Sequence, residues 1–249
     1  MIGIDGDGVM MRLKLVVAVL ISSACLLTRE AQAASLEITP VAINLARGQN
    51  ATTIEVKNRG GAPAAVQIRA YAWTQTGNED VLTPTEDIIV SPPIFTISEG
   101  VSQTIRLLLR GGAGAAGERS YRLLLDEVPP AHKADQQIVI AMRVSLPVIV
   151  ASAAPAPQAL QWQAVRGPEN QVLLSAINGG NSYDAVRAIT ATLPDGTHRN
   201  AAPRGQNPYV LSGAQRQWVV QGGRVPSGPL RLSVTTRAGK SEQTLVLAP

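Results

Sequence analysis

The stretch QQIVIAMRVSLPVIV, residues 136–150, has the length and apolarity of a long β-strand. Isoleucine recurs at every second position, at Ile138 and Ile140, before Arg143 interrupts the apolar run. Pro147 has no backbone N–H, which favours an edge strand over a central one. Because an exposed apolar edge pairs readily with other strands, two interpretations remain open. The strand is covered within its own domain, or it pairs with another chain.

The rest of the chain from Ala34 onward is also typical of strands. Segments rich in Val, Ile, Thr and Leu alternate apolar and polar residues, without a convincing helical period. Turn residues separate them at roughly ten-residue spacing, which indicates β-sandwiches. The proline-rich segment ASAAPAPQA, residues 151–159, is typical of a stiff linker. The sequence therefore predicts an all-β protein with one sandwich in 34–150 and a second in 160–249.

The N-terminal segment has the pattern of an export signal. Arg12 and Lys14 precede the apolar run LVVAVLISSACLL, residues 15–27, which is short for a membrane span, and the small residues AQA follow. We expect a signal peptide over residues 1–33 and no stable membrane insertion after its cleavage. An uncleaved anchor or a lipid on Cys25 are the alternatives. Cys25 is the only cysteine, so the mature chain would have no disulfide.

Composition argues against nucleic-acid binding and against catalysis. The net charge is +4 with scattered Lys and Arg, and aromatic residues make up 3%. The two histidines, His132 and His198, fall in predicted loops of different sandwiches, and no Cys, His or acidic cluster has metal-ligand spacing. The glycine-rich stretch 111–117 lies between predicted strands, whereas a dinucleotide loop must open a helix. We therefore expect no enzyme activity, no metal and no cofactor.

Three segments carry a resemblance to a known family. They are TPVAINL (39–45), IIVSPPIFTISEGVSQTIRL (88–107) and ERSYRLLLDEVPP (118–130), and the strand in 136–150 follows at the matching distance. Together they resemble the PapD-like periplasmic chaperones of pilus assembly, most of all the archaic, Csu-type branch. The resemblance covers nearly the whole mature chain.

The resemblance implies two immunoglobulin-like sandwiches in an L, with a pilin subunit held in the groove between them. The chaperone lends its last N-domain strand to the incomplete subunit, and an outer-membrane usher then takes the subunit over. Here the implied donor residues are Ile138, Ile140 and Met142, with Val144 continuing the same face. The location implied is the periplasm, and a free molecule could cap its donor strand by forming a dimer.

The resemblance also implies a basic anchor for the C-terminal carboxylate of the subunit. One branch of the family has an Arg in the first strand and a Lys near the end of the donor strand. Those places hold Pro40 or Val41 and Ser145 here, so the pair is missing. The candidates by position are Arg122, Arg143 and Lys133.

Each anchor candidate has a structural alternative. Arg122 could instead form a salt bridge with Glu118 or Asp126, and Arg143 could be an ordinary surface residue. Glu118 matches a family position that supports the domain interface, as does Arg106.

A second function class remains open, namely a secreted adhesin or carbohydrate-binding sandwich. Such a site needs several exposed aromatics or calcium-binding carboxylates. Trp73, Trp162 and Trp218 are isolated within strand patterns, and we expect them in cores.

Overall fold

The computed structural model describes residues 35–111, 117–129, 141–154, 160–168, 171–205 and 207–247. All of its regular elements are strands. They are β1 (Leu36–Thr39), β2 (Ile43–Leu45), β3 (Ala51–Asn58), β4 (Ala64–Thr76), β5 (Glu79–Pro84), β6 (Ile88–Ser91), β7 (Ile94–Ile97), β8 (Ser102–Leu109), β9 (Arg119–Val128), β10 (Arg143–Val150), β11 (Leu160–Arg166), β12 (Val172–Asn178), β13 (Asp184–Thr192), β14 (His198–Pro203), β15 (Tyr209–Val210), β16 (Gln215–Val220), β17 (Gly228–Thr236) and β18 (Lys240–Leu247). The all-β prediction is confirmed.

Two sheets form the first sandwich. One has the order β1-β3-β8-β6, and the other has the order β2-β10-β9-β4-β5, with β7 also on β4. The alternating apolar residues of each strand meet between the sheets, and β4 buries Val66 and Ile68 on the face that its pattern predicts. Prolines mark two of the places where the chain changes sheet, because β1 passes to β2 after Thr39 and β6 passes to β7 through Pro92.

The second sandwich contains β11 to β18, in the hydrogen-bonded order β11-β12-β16-β14-β13-β17-β18 with β15 on β13. Trp162 and Trp218 lie in its core with their ring centroids 5.0 Å apart. The core prediction for these tryptophans is confirmed, but they are a contacting pair rather than isolated residues. Because they are buried, they offer no exposed aromatic platform to a carbohydrate.

Each sandwich has a buried asparagine at the end of one strand, Asn58 at the end of β3 and Asn178 at the end of β12. Asn58 Nδ2 donates to Ala62 O and Ile97 O, while its Oδ1 accepts the Gly60 N–H. Asn178 repeats the pattern, with Nδ2 donating to the carbonyls of Ser182 and Val210 and Oδ1 accepting the Gly180 N–H. Both side chains are fully buried, so each amide satisfies backbone groups that the turn would otherwise leave unpaired.

Two strands were not predicted. β5 pairs with β4 but is polar and largely exposed along its length, and β14 contains a histidine, an asparagine and Pro203. Both are held by ladder hydrogen bonds rather than by buried apolar side chains, so neither shows the alternation that identifies a strand in sequence. Among the described residues, no helix is long and apolar enough to cross a membrane.

Candidate functional site

The strand β10 is only partly covered along one edge. β9 pairs with it over its whole length, from Arg143 to Val150, whereas β2 pairs in parallel only with Val148–Val150. Within the described ranges, the edge of Arg143, Val144, Ser145, Leu146 and Pro147 that faces away from β9 has no strand beside it. The first half of β10 is therefore an edge strand, as predicted. Its free edge is open to a further strand.

The hydrogen-bond phase of β10 explains how Pro147 is tolerated. Glu127 N–H donates to Met142 O (2.9 Å), so this pair is a hydrogen-bonded one. Bonded and non-bonded pairs alternate along an antiparallel ladder, which places Pro147 and its partner Arg122 in a non-bonded pair. The missing N–H of Pro147 therefore costs the β9 ladder nothing. By the same phase, the N–H and C=O groups of Arg143 and Ser145 point to the open edge.

The even-numbered side chains of β10 face inward, and the predicted donor residues are also even-numbered. Leu146, Val148 and Val150 are buried in the first core, and Val144 is half-buried against the same core. Met142, two residues before Val144, is on the same side of the chain and is also half-buried. Part of the Val144 side chain thus packs against its own domain, and only the rest is available to a partner. Ile138, Ile140 and Lys133 lie outside the described residues.

The outward face of β10 and β9 meets the second sandwich. Ile149 packs there with Trp73, Leu211 and Ala214. The Trp73 ring meets Tyr209 of the second sandwich edge-on, with centroids 5.3 Å apart. Trp73 is therefore buried as predicted, but between the domains rather than inside one of them.

Arg122 belongs to this interdomain cluster. Its guanidinium carbon lies 3.7 Å from the Trp73 ring centroid and 5.4 Å from that of Tyr209, and 9% of its side chain is exposed. The ion pair that the structure gives it is with Asp80 at 3.9 Å, not with Glu118 or Asp126, the two partners considered from sequence. The guanidinium leans toward β4 and β5, away from the open edge of β10.

Asp80 is shared between two arginines. It lies 2.6 Å from Arg216 Nη2 but 3.9 Å from Arg122 Nη2, so Arg216 holds it more tightly. Burial lowers the pKa of Arg122, with the Asp80 charge opposing that effect and the Arg216 charge adding to it. Two guanidinium groups and one carboxylate leave this group with one net positive charge in a mostly buried setting, which favours a further anion.

Arg143 lies on the same outward face but has a partner on its own chain. Its Nε donates to Asp126 Oδ1, and Arg69 Nη2 donates to Asp126 Oδ2 at 2.6 Å. These two bonds hold the pKa of Asp126 below its usual value, with the Arg143 bond as the largest cause and burial opposing it. Arg143 is thus an exposed residue whose charge is engaged by Asp126.

Glu118 joins the two sandwiches, as its predicted interface role requires. Its Oε1 accepts the Tyr183 N–H of the second sandwich at 2.8 Å. Burial raises its pKa to about 7, while that bond and the charge of Arg237 act in the opposite direction. Glu118 and Trp73 also line an interdomain cavity of about 390 Å³. Arg106 instead lies exposed on the outer face of β8, away from this interface.

Sequence reasoning missed the partners of these arginines. Asp80, Tyr209 and Arg216 reach Arg122 from strands that are distant along the chain. No local pattern marks them, because β5 shows no apolar alternation. Among the described residues, no group of three or more His, Cys, Asp or Glu side chains could hold a metal ion.

Comparison with protein families matches residues 35–155 to a model described as pili and flagellar-assembly chaperone, PapD N-terminal domain. The chain is 21% identical over 160 residues to the uncharacterized fimbrial chaperone YhcA of Escherichia coli (strain K12), covering 64% of this chain and 68% of that protein. It is 34% identical over 82 residues to the chaperone protein MrkB of Klebsiella pneumoniae, covering 31% of this chain but only 34% of that one.

Solved structures share the fold. The CsuC–CsuE chaperone–tip adhesion subunit complex from archaic Csu pili of Acinetobacter baumannii contains a chain that matches with a TM-score of 0.64 and 22% identity. That match covers 86% of this chain and all of the other. A chain of the Salmonella enterica SafA pilin complex with the SafB chaperone matches with a TM-score of 0.60 and 19% identity, over 87% of this chain and 98% of the other.

Proposed function

We propose that this chain is a PapD-like fimbrial chaperone, a non-enzymatic periplasmic protein that binds pilin subunits in the chaperone–usher route, and that it holds its subunit on the open edge of β10. The observation that carries this proposal is the half-covered strand. β2 closes the edge at Val148–Val150, and the edge is open before that point within the described residues. A subunit strand that adds there gains backbone hydrogen bonds from Arg143 and Ser145, which is β-strand addition.

The inward face supplies the apolar part of the interaction. Val144 and Leu146 complete the chaperone's own core, and Met142, Ile140 and Ile138 continue the same parity beyond it. We propose that these three side chains fill the groove of an incomplete subunit, so that the two cores become continuous. A fully buried side chain of this size contributes roughly 1.5–3 kcal/mol, which lets three anchors hold a partner without covalent chemistry.

We propose Arg122 as the main anchor of the subunit's C-terminal carboxylate. The net positive charge that Arg122 and Arg216 share over Asp80 supports it, since a second carboxylate would neutralise the group. Arg143 is engaged by Asp126 and is a weaker candidate. Lys133 stays a candidate by sequence position.

The open edge of β10 is also where we place the transfer of the subunit to an usher and the self-pairing of the free chaperone. The bound subunit passes to an outer-membrane usher when another strand replaces β10, because strand addition is reversible and needs no nucleotide. A free molecule can cover its open edge by pairing with a second copy, and light scattering after size-exclusion chromatography measures this dimer directly.

The test uses a double variant, Ile138→Asp with Ile140→Asp, and the pilin subunit that co-purifies with the wild-type protein. Two buried isoleucines lost correspond to at least about a hundredfold weaker capture. Val246→Asp is the matched control, because Val246 is 78% exposed on β18. Capture is measured as protection of the subunit from protease. A folded double variant that protects the subunit as well as the wild type does would refute the donor-strand proposal.

Amide hydrogen exchange gives an independent measurement. The Arg143 and Ser145 amides point to the open edge and should exchange readily in the free protein. They should become protected in the complex, since an added strand accepts their hydrogen bonds. Unchanged exchange at both amides in a formed complex would place the subunit elsewhere.

A further inference from the structure

The carboxylate of Asp126 bridges three neighbouring strands at the N-terminal end of β10. Asp126 is on β9, Arg143 is the first residue of β10, and Arg69 is on β4. Each carboxylate oxygen takes one arginine, and 14% of the Asp126 side chain is exposed. All three side chains lie on the outward face, opposite the core.

We propose that Asp126 is a positioning residue, which through Arg143 fixes the direction and register in which the donor segment leaves the sandwich. This inference rests on the proposed function, because it assigns a role at the same strand. It also assigns Arg143 to the chaperone's own sheet rather than to the subunit's carboxylate.

The local packing shows why such a clamp is needed at this point. Farther along β10, fully buried side chains such as Val148 fix the register, because a one-residue slip would turn them to the outside. At Arg143 and Val144 the strand has lost most of that burial. A strand end with one neighbour and little buried surface frays readily.

Hydrogen bonds of Met142, the residue before Arg143, support the same role. Met142 N–H donates to Glu127 Oε2 at 3.2 Å, and Met142 O accepts the Glu127 N–H. Asp126 and Glu127 together therefore hold consecutive residues of the emerging segment. A segment that is already extended and in register loses less conformational freedom when a subunit binds, so its affinity is higher.

The test measures exchange of the Met142 and Val144 amides, both of which face β9, in the free full-length protein. Asp126→Asn keeps the shape of the side chain but removes the charge that Arg143 needs. We expect about fivefold faster exchange at these amides, the effect of one modest ion pair, with the free energy of global unfolding lowered by no more than the same amount. Glu37→Gln, which breaks an acid–arginine pair with Arg59 in the other sheet, is the matched control and should leave these amides unchanged.

Subunit capture distinguishes the clamp from an anchor. If Arg143 holds Asp126, then Asp126→Asn and Arg143→Ala should each weaken capture severalfold and the double variant should be no worse than either. Arg143→Lys should recover part of the loss, because it keeps the charge without the planar fork. If Arg143 were the carboxylate anchor, Asp126→Asn would free it and capture would stay equal or improve, which overturns the proposal.

The two proposals fail in different ways. Normal exchange at Met142 and Val144 in free Asp126→Asn protein overturns the clamp, whatever the subunit does. Lack of protection at Arg143 and Ser145 in the complex overturns strand addition at the open edge, even if the clamp exists.

Discussion

Replacing Arg122 with Met separates its two possible roles. The Met side chain keeps most of the apolar stem over Trp73 but removes the guanidinium, which lies 3.7 Å from that ring. The cation–π contact of a desolvated arginine is worth about 2 kcal/mol. Asp80 keeps Arg216 at 2.6 Å, and the desolvation that lowers the pKa of Arg122 is relieved. We therefore expect the free energy of unfolding to fall by only about 1–2 kcal/mol.

The expected effect on subunit binding is larger. Removing one partner of a largely buried charge pair costs about 3–5 kcal/mol, which corresponds to at least about a hundredfold weaker binding. Arg122→Lys should recover only part of this loss, because a single ammonium cannot take a carboxylate bidentately. Arg110→Met is the matched control, since Arg110 is exposed and pairs with Glu86.

The assay is capture of urea-unfolded subunit by immobilised chaperone, followed by biolayer interferometry. A subunit extended by two C-terminal glycines displaces the carboxylate, and wild-type chaperone should bind it about as weakly as Arg122→Met binds the normal subunit. Arg122→Met should not distinguish the two subunits. Normal capture by Arg122→Met, with only its unfolding midpoint lowered, would make Arg122 a structural contact of the domain interface. A matching loss in Lys133→Ala would then move the anchor to Lys133.

Two further predictions concern stability. Asn178→Ala should lower the free energy of unfolding by about 3 kcal/mol, because it removes one buried and two part-buried hydrogen bonds to backbone groups; the exposed Asn200→Ala serves as control, and equal urea midpoints for the two variants would contradict the assignment. Burial raises the pKa of Glu118 to about 7, whereas an unfolded glutamate titrates near about 4.3. The neutral Glu118 carboxyl therefore contributes its full stability to the folded protein below about pH 4.3, and this contribution is lost as the pH rises through about 7. Glu118→Gln should flatten the fall in urea midpoint between about pH 5 and pH 8, and a curve as steep as that of Glu86→Gln would show that Glu118 is not its source.

The strands that could be predicted are those whose own residues show a pattern. β3, β4 and β8 alternate apolar and polar residues with one buried face, and period-two alternation is a property of consecutive residues. The prolines near Thr39 and Ser91 also act locally, and both fall at changes of sheet. β5 and β14 lack a buried apolar face, so only their partners reveal them.

The candidate site was predictable only on one side of β10. Parity along the strand identified the inward residues, because Met142 and Val144 are two residues apart and side chains at that spacing share a face of a strand. The outward face depends on contacts across long sequence separations, such as Arg122 with Tyr209. The buried asparagines carried a signal that could have been used, since Asn58 and Asn178 both end a strand two residues before a glycine.

Pro147 connects the open edge with the position of the anchor. On its C-terminal side, the edge of β10 is occupied by β2, and on its N-terminal side the edge is open within the described residues. Pro147 has no N–H to offer on that edge, so neither β2 nor an incoming strand can bond its nitrogen, and the residue separates the two. A subunit strand that runs parallel to β10, as β2 does, must end its ladder there, with its C-terminal residues beginning to leave the sheet near Pro147.

That end point is level with Arg122, the partner of Pro147 across the β9 ladder. Two strand spacings of about 4.8 Å separate an added strand from β9, and the guanidinium lies beyond β9 over Trp73 of β4, so at least about three extended residues are needed to reach it. The last residues of the subunit would therefore leave the ladder and cross the outward face of β10 to reach the guanidinium. A strand stopped by the proline would bring the carboxylate to the anchor proposed at Arg122, since the net positive charge around Asp80 lies on the face that the subunit residues would cross.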